Sequence, residues 1–175
     1  QKILKSLMNK LKLVLPSKKY LKSYQSFCSD IIKNSPKQKY SEEYKKEFLF
    51  SKDKNFFFVI KNAKNGINQP QGVIPIAEYW AIVNEKVVGR FIFRHKLPKD
   101  FFGYPGNIGY AVAPCYQGKG YATEILRLGL MKAKKLGLKK VLLTCDYDNL
   151  ASKKVIENNG GILKTITPHG DRQQC

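Results

Sequence analysis

Residues Ile108–Leu130 read IGYAVAPCYQGKGYATEILRLGL, and this stretch decides the fold. Small and apolar side chains over Asn107–Ala113 predict a β-strand. A helix is predicted over Tyr121–Leu136, because apolar or small residues recur at helical spacing: Ala122, Ile125, Leu126, Gly129, Leu130, Ala133 and Leu136. Gly137 is expected to end this helix. A strand that leads through a glycine-containing loop into a helix indicates a domain built of a sheet and helices.

The loop between that strand and helix, Gln117–Ala122, has the composition of an anion-binding turn. Gly118 and Gly120 let the backbone approach a ligand closely. The first N–H groups of a helix have no partner inside the helix, and the helix dipole favours negative charge there, so a phosphate fits. Lys119–Tyr121 lacks the ending of a Walker A loop, and Thr123 occupies the third glycine position of a dinucleotide-binding fingerprint. A glycine-rich turn before an ordinary helix is the alternative.

Further helices are predicted on both sides of this unit. Apolar side chains at helical spacing predict a helix over residues 18–33. Residues 41–64 are predicted to be helical or irregular, with Ser41 as a candidate helix start. A last helix is predicted over Asn149–Asn159, whose first residue is a candidate N-cap and which Gly160 would end.

The strands predicted outside the central unit include one hairpin, whose two strands are joined across residues 84–86. One segment, KVLLTC, is almost entirely apolar, as expected in the middle of a sheet. The order of elements predicts an α+β or α/β domain with one mixed sheet. These predicted strands are Leu11–Leu15, Glu78–Val83, Val87–His95, Lys140–Cys145 and Ile162–Thr167.

Length and composition exclude several classes of protein. A chain of 175 residues with 43% hydrophobic content supports one domain with its own core and excludes a disordered chain. No window approaches the roughly 18 apolar residues of a membrane span, and no secretory signal is evident, so a cytoplasmic location is expected. The chain has four cysteines: Cys28, Cys115, Cys145 and Cys175. They lack the C-x-x-C spacing of a zinc ribbon or redox motif, so no metal is expected.

The chain is strongly basic, with 32 Lys and Arg against 13 Asp and Glu and a formal net charge of +19. Only four of the basic residues are Arg, whereas proteins that read nucleic-acid bases favour Arg for its bidentate pairing. A diffuse Lys excess beside many Asn and Ile is typical of genome-wide composition bias. A nucleic acid is therefore not an expected partner, but the field attracts any polyanionic ligand.

The hexapeptide Gln117–Ala122 fits the Q/R-x-x-G-x-G/A signature and resembles the coenzyme loop of the GNAT superfamily of N-acetyltransferases. Val112 and Pro114 lie where the family ends the strand before this signature. The family helix pattern N-x-x-A/S-x(7)-G is matched at Asn149, Ser152 and Gly160. The chain also resembles a bacterial branch of the family in four segments: Leu11–Ser17, Ile108–Tyr110, Val141–Asp146 and Glu157–Gly161.

The resemblance implies an α+β fold of three layers, with a mixed, mostly antiparallel central sheet and helices on both faces. It implies one domain over residues 1–175, with a coenzyme-binding core at about 107–161. The implied activity moves acetyl from acetyl-coenzyme A to a primary amine by direct attack in a ternary complex. Only 14 residues follow Gly161, so the closing C-terminal hairpin of the family is expected to be shortened. A homodimer is one way to cover the sheet edge that this leaves.

The resemblance also implies where acetyl-coenzyme A is bound, between the strands on either side of the loop–helix unit. The amides of Gln117–Ala122 would hold the pyrophosphate, and the amide near Val112 would hydrogen-bond the thioester carbonyl. Asn149 and Ser152 would flank the pantetheine arm. The full set of predicted coenzyme-binding residues is Val112, Ala113, Gln117, Gly118, Lys119, Gly120, Tyr121, Ala122, Thr123, Asn149 and Ser152.

Acetyl transfer also requires loss of a proton from the amine and departure of a thiolate. Two residues are candidate bases: Glu78, acting through water, and His95. The alternative for Glu78 is a charge at the edge of the hairpin, and the alternative for His95 is a surface histidine at a strand end. Many family members protonate the sulfur with a tyrosine seven residues after the helix Asn, where this chain has Ile156. A thiol with a pKa of about 8.5 leaves tolerably as thiolate. Tyr147 or water could replace the missing tyrosine.

The acceptor is not identified by the sequence, which fits a small-molecule amine or a protein amine. The aromatic loop Phe101–Tyr104 is a candidate acceptor contact. Cys115 and Cys145 have no evident His partner, so a thiol nucleophile is not expected. Two alternatives from other classes remain open: a non-catalytic acyl-coenzyme A sensor, suggested by Ile156, and a basic module associated with nucleic acid, suggested by the net charge.

Overall fold

The structure is a computed structural model that describes residues 11–35, 38–63, 75–97, 106–169 and 172–175. Its main sheet has four antiparallel strands in the order β1-β2-β3-β4. The predicted hairpin is confirmed, and Asn84 and Glu85 in its turn both have positive φ, 47° and 61°, as a two-residue hairpin turn requires. The strands are β1 (Lys12–Val14), β2 (Ala77–Val83), β3 (Lys86–Phe93) and β4 (Ile108–Val112).

The predicted helices are also confirmed, with boundaries shifted by up to three residues, and the predicted region 41–64 is divided between two helices. Ser41 does not begin a helix: it lies inside the second one, and its hydroxyl donates to the Ile32 carbonyl at 3.1 Å, which joins the first two helices. No helix in the described part of the chain is long and apolar enough to cross a bilayer. The helices are α1 (Leu21–Asn34), α2 (Gln38–Phe50), α3 (Phe56–Ala63), α4 (Tyr121–Lys135) and α5 (Leu150–Glu157).

Side chains alternate between the two faces of the sheet along each strand, so both faces carry apolar side chains. Helices cover both faces. On one face α1–α3 pack an aromatic cluster around Trp80, whose ring stacks on Tyr24 at a centroid distance of 4.3 Å. On the other face α4 contributes Ile125 and Leu126, which are buried against Phe91. The expected α+β architecture with helices on both faces is therefore confirmed.

Two predicted strands are not formed as expected. Lys140–Cys145 forms no regular strand. Its apolar side chains pack on the core, but its backbone bonds to Asn107 near one end and to Cys175 at the other. Ile162–Thr167 is not a strand either, and Ile162 is 82% exposed. The last strands are instead the short antiparallel hairpin of β5 (Thr167–His169) and β6 (Arg172–Gln174).

Candidate active site

The start of β4 is fixed beside the segment after α4 by one buried residue, Asn107. Its N–H donates to the Leu142 carbonyl at 2.7 Å, and its Oδ1 accepts from the Leu142 N–H at 2.8 Å. Its Nδ2 donates to the Arg94 carbonyl at 3.0 Å at the end of β3. A Cβ on the neighbouring Gly106 would overlap the Leu142 carbonyl, so the close approach of the two segments requires glycine. These contacts hold β3, β4 and residue 142 together.

Beyond Asn107 the two segments diverge, and the space between β4 and residues 142–147 is here called the splay. Among the described residues, the backbone hydrogen bonds between the two sides stop at Asn107 and Leu142. The Ala113 N–H donates to the Val88 carbonyl of β3 at 3.1 Å. Because backbone groups of an antiparallel strand alternate between its two edges, the N–H groups of Tyr110 and Val112 point to the splay.

A glycine-containing loop connects β4 to α4 at the end of the splay. Gly118 and Gly120 have φ of +72° and +78°, which only glycine adopts readily. No side chain caps the first turn of α4, so its N–H groups remain available to a ligand. The Lys119 ammonium donates to the Cys115 carbonyl at 3.0 Å, and the Gln117 amide donates to the Val112 carbonyl at 3.2 Å. The loop therefore leaves the backbone N–H groups at the start of α4 without a side-chain cap.

Helix α1 fastens this loop through Asp30, a residue that the sequence analysis did not single out. The Cys115 N–H donates to Asp30 Oδ2 at 3.0 Å, and the Asn34 amide donates to Oδ1 at 2.7 Å. Partial burial opposes ionisation, but these hydrogen bonds lower the pKa of Asp30 below its usual range. Asp30 and Cys115 are 85 residues apart in sequence, and no local pattern indicates the contact.

The far side of the splay is formed by the start of α5. Asn149 is its N-cap, as predicted, and Oδ1 accepts from the Ser152 N–H at 3.0 Å. The Tyr110 hydroxyl donates to the Ser152 carbonyl at 3.4 Å, which joins β4 to α5. Burial raises the pKa of Tyr110. The structure thus brings Asn149 and Ser152 to the opposite side of the splay from Val112.

Of the three predicted catalytic side chains, Tyr147 lies five residues after Leu142, which Asn107 joins to the start of β4. Val112 likewise lies five residues after Asn107, and the Tyr147 N–H donates to the Gln173 carbonyl at 2.9 Å. The Tyr147 side chain is 45% exposed, and the Lys153 ammonium lies 3.6 Å from its ring centroid.

Glu78 and His95 lie near the other end of the sheet. Glu78 pairs with Ile92, which pairs with Gly109 on β4. At a rise of about 3.3 Å per residue, Glu78 is about 10 Å along the strands from Val112 and two strands away from it. The Glu78 carboxylate accepts from the Trp80 indole at 2.9 Å, and burial raises its pKa. His95 follows the end of β3 and is exposed.

A buried charge cluster on the α1–α3 face was missed by the sequence analysis. Arg90 on β3 is 6% exposed and forms ion pairs with Glu43 at 3.4 Å and Glu47 at 3.3 Å. Its guanidinium also lies 5.1 Å from the Tyr44 ring centroid. Burial opposes its charge, but the surrounding acidic and phenolic groups raise the pKa of Arg90 well above its usual value. A buried charge requires a partner of opposite charge, and here both partners lie on α2, so the ion pairs join β3 to α2.

Three further features named in the sequence analysis are Ile156, the loop Phe101–Tyr104 and the expected lack of a metal site. Ile156 packs beneath Gly161, where a Cβ on the glycine would overlap the isoleucine side chain, so no phenol occupies that position. The loop Phe101–Tyr104 lies outside the described residues. Within the described ranges, no three His, Cys, Asp or Glu side chains are grouped to hold a metal ion.

Comparison with known proteins assigns the family. The family model described as "Acetyltransferase (GNAT) domain" matches residues 11–162. The "Uncharacterized N-acetyltransferase YnaD" of Bacillus subtilis (strain 168) is 29% identical over 125 residues, which cover 65% of this chain and 68% of that protein.

Solved structures of two acetyltransferases share the fold. The microcin C7 self-immunity acetyltransferase MccE, in complex with acetyl-CoA and AMP, is 17% identical with a TM-score of 0.63, covering 95% of this chain and 89% of that chain. RimL, a ribosomal L7/L12 alpha-N-protein acetyltransferase in complex with coenzyme A, is 14% identical with a TM-score of 0.64, covering 96% and 93%. Since the family match spans most of the chain, the protein belongs to the GNAT acetyltransferase domain family.

Proposed function

We propose that this protein is an N-acetyltransferase that transfers acetyl from acetyl-coenzyme A to a primary amine. The observation that carries the proposal is the position of the signature loop Gln117–Ala122 in a chain of this family. The loop enters the uncapped first turn of α4 directly after β4, whose free edge faces the splay. The acceptor is an amine of a small molecule or of a protein.

The coenzyme site is proposed to run from the loop along the splay. The backbone N–H groups of residues 117–123 bind the pyrophosphate, which the positive end of the α4 dipole also favours. Val112 and Ala113 border the acetyl end. Asn149 and Ser152 flank the pantetheine arm from α5, at the side that Tyr110 joins to β4. The net charge of +19 favours a ligand that carries several phosphate charges.

The chemistry follows from the groups at the end of the splay. The Val112 N–H donates to the thioester oxygen, which gains negative charge as the amine attacks, and so stabilises the tetrahedral transition state. Tyr147 supplies a proton to the departing sulfur. Glu78 is too far away to contact the amine directly, so it takes the amine proton only through water molecules. His95 lies still further along the strands.

Binding is tested by calorimetric titration with acetyl-coenzyme A at moderately high salt, with ATP as a polyanion control. We expect saturable binding of one coenzyme per chain and clearly weaker binding of ATP. In the variant Gly120→Glu a carboxylate faces the phosphate, and we expect binding to be lost. Gly137→Glu is the matched control, because Gly137 also has positive φ, +87°, but lies beyond the opposite end of α4. Equal effects of the two substitutions would overturn the site.

Turnover is tested by release of the coenzyme thiol in the presence of polyamines, amino sugars and peptides with free N-termini. We expect an amine-dependent rate with at least one class of acceptor. Coenzyme binding without turnover on any amine would instead support the acyl-coenzyme A sensor, which the apolar side chain of Ile156 favours. Equal binding of ATP and acetyl-coenzyme A would show that the protein binds polyanions in general and has no specific coenzyme site.

A further inference from the structure

Two cysteines that are 30 residues apart in sequence face each other where the segment after α4 meets the C-terminal hairpin. The Cys145 N–H donates to the Cys175 carbonyl at 2.8 Å, and the Cys175 N–H donates to the Cys145 carbonyl at 3.0 Å. The Tyr147 N–H donates to the Gln173 carbonyl at 2.9 Å, so the antiparallel register continues for two residues. The two sulfur atoms are 3.4 Å apart.

This backbone arrangement fits a covalent bond between the two sulfurs. Directly opposed residues that exchange both hydrogen bonds have Cα atoms about 5.5 Å apart, which lies within the range of disulfide-bonded cysteines. The sulfurs must approach from 3.4 Å to about 2.05 Å, a movement that rotation of the two side chains and a small approach of the two chain segments together supply. Both side chains are partly exposed, so a small oxidant reaches them.

The other two cysteines have no such partner among the described residues. Cys28 is fully buried in the α1–α3 cluster, and burial raises the pKa of its thiol to about 12. Cys115 is exposed on the loop before the signature, and its backbone hydrogen-bonds to Asp30 and Lys119. Only one pair of described thiols is therefore placed for an intramolecular bond.

We propose that Cys145 and Cys175 form a reversible dithiol–disulfide pair that low-molecular-weight disulfides such as oxidised glutathione oxidise. One protein thiolate attacks a glutathione sulfur and releases the first glutathione thiolate. The second protein thiolate then attacks the protein sulfur of the mixed disulfide and releases the second glutathione. The two protons lost by the protein thiols are taken up by the two glutathione thiolates. The protein pair is oxidised by two electrons, and one disulfide is reduced to two thiols.

The bond would tie the wall of the splay to β6. Cys145 lies two residues before Tyr147, whose backbone is already paired with Gln173. Burial and the hydrogen bond to Cys175 raise the pKa of Cys145 to about 12, so the reactive thiolate is scarce at neutral pH. Exchange is therefore measured at about pH 9, where more of the thiol is ionised.

The test uses the full chain with Cys115→Ser, which removes the exposed thiol, and oxidised glutathione as the probe. We expect two glutathione thiols to be released per chain. A non-reducing tryptic map should then show residues 141–153 linked to the peptide that begins at Gln173, and dithiothreitol should separate them. In Cys115→Ser/Cys175→Ser we expect one glutathione released and a persistent glutathione adduct on Cys145.

Two results would overturn the proposal. One is a stable glutathione adduct on Cys145 or Cys175 without the linked peptides in the chain that retains both thiols. The other is no release of glutathione thiol while unfolded chain in denaturant reacts under the same conditions. The map can also be made on the unsubstituted chain, so the result does not depend on a variant that folds. Coenzyme binding is not part of this test, and its failure would leave the outcome unaffected.

Discussion

Tyr147 lies as far along the chain beyond Leu142 as Val112 lies beyond Asn107, and its proposed catalytic role can be separated from its packing. We expect Tyr147→Phe to lower kcat about tenfold to a hundredfold, because the leaving thiolate loses its proton donor but still departs unaided. The KM for acetyl-coenzyme A should be unchanged, since the phenol is not among the groups proposed to bind it. Steady-state kinetics at saturating amine measure both constants.

The matched control for that substitution is Tyr79→Phe. Tyr79 also carries a Lys ammonium over its ring, with Lys132 Nζ at 4.5 Å from the centroid, but it lies on β2 under α4. Its loss of a hydroxyl should leave kcat unchanged. If both variants keep the kcat of the unsubstituted protein, the sulfur leaves without help from Tyr147 and this role is wrong.

Glu78 gives a prediction about stability and pH. Burial raises the pKa of its carboxyl, so the folded state binds this proton more tightly than the unfolded state does. The resulting stabilisation is fully present below the ordinary carboxyl pKa and is lost as the pH rises through the raised value. We therefore expect the melting temperature of Glu78→Gln, relative to the unsubstituted protein, to rise from about pH 4 towards neutral pH.

Glu85 serves as the control with the opposite sign. The Lys19 ammonium hydrogen-bonds its carboxylate and lowers its pKa, so its contribution is present above the ordinary carboxyl pKa and is lost as the pH falls. The melting temperature of Glu85→Gln should accordingly lie below that of the unsubstituted protein at neutral pH, and this difference should disappear in acid. Parallel curves for the two variants would show that Glu78 is not held in an environment that disfavours its charge.

Single residues also mark the limit of what the sequence predicts. The capping role of Asn149 is local, because its partner Ser152 is three residues away, and the sequence predicted it. Arg90 and Asp30 depend on partners 47 and 85 residues away, and nothing adjacent to either residue indicates that it is paired. Tyr147 was predicted as a candidate only, because its distance from Val112 depends on how β4 and residue 142 are joined.

At the scale of elements, the packing of α4 on the sheet depends on a glycine. Gly129 faces the Phe91 ring, and a Cβ at Gly129 would overlap the ring carbons. We expect the added methyl group of Gly129→Ala to lower the free energy of unfolding by about 1–3 kcal/mol through overpacking. The higher helix propensity of Ala raises it by about 1 kcal/mol, so the substitution gives no net stabilisation. Urea unfolding should therefore show no stabilisation from a substitution that favours an isolated helix.

Met131→Ala on the same helix is the control, because Met131 is 48% exposed and its replacement should change stability within about 0.5 kcal/mol. Gly129→Ala should fall below this control in urea midpoint. A stabilisation of about 1 kcal/mol by Gly129→Ala would mean that the ring of Phe91 moves aside at no cost, and that the close contact does not position α4.

The segment Lys140–Cys145 shows why a strand can be mispredicted from an apolar run of residues. Its apolar run is typical of a buried strand, and its side chains do pack on the core. A strand also needs a neighbour along its length, and here the backbone bonds to Asn107 at one end and to Cys175 at the other. The second partner follows a long exposed stretch, so the sequence contains no local sign of that pairing.

For the whole molecule, the net charge of +19 makes a prediction about rates. The charge is diffuse, so it acts on a distant polyanion through the summed field rather than through one patch. Salt screens this field over about 10 Å at 0.1 M. We expect the association rate of acetyl-coenzyme A to fall by about tenfold or more between low salt and about 0.5 M salt, as measured by stopped-flow.

The control ligand for that prediction is S-acetyl-pantetheine, which carries the acetyl thioester without the phosphates. Its association rate should change little with salt, because no ligand charge responds to the field. A further control is Gly120→Glu, which changes the net charge by one unit in nineteen and so leaves long-range attraction nearly intact while removing the phosphate site. Its encounter rate with a polyanion should keep the same salt dependence, although no stable complex forms. If the neutral donor loses rate as steeply as acetyl-coenzyme A, the salt acts on the protein itself and the net charge does not steer the coenzyme.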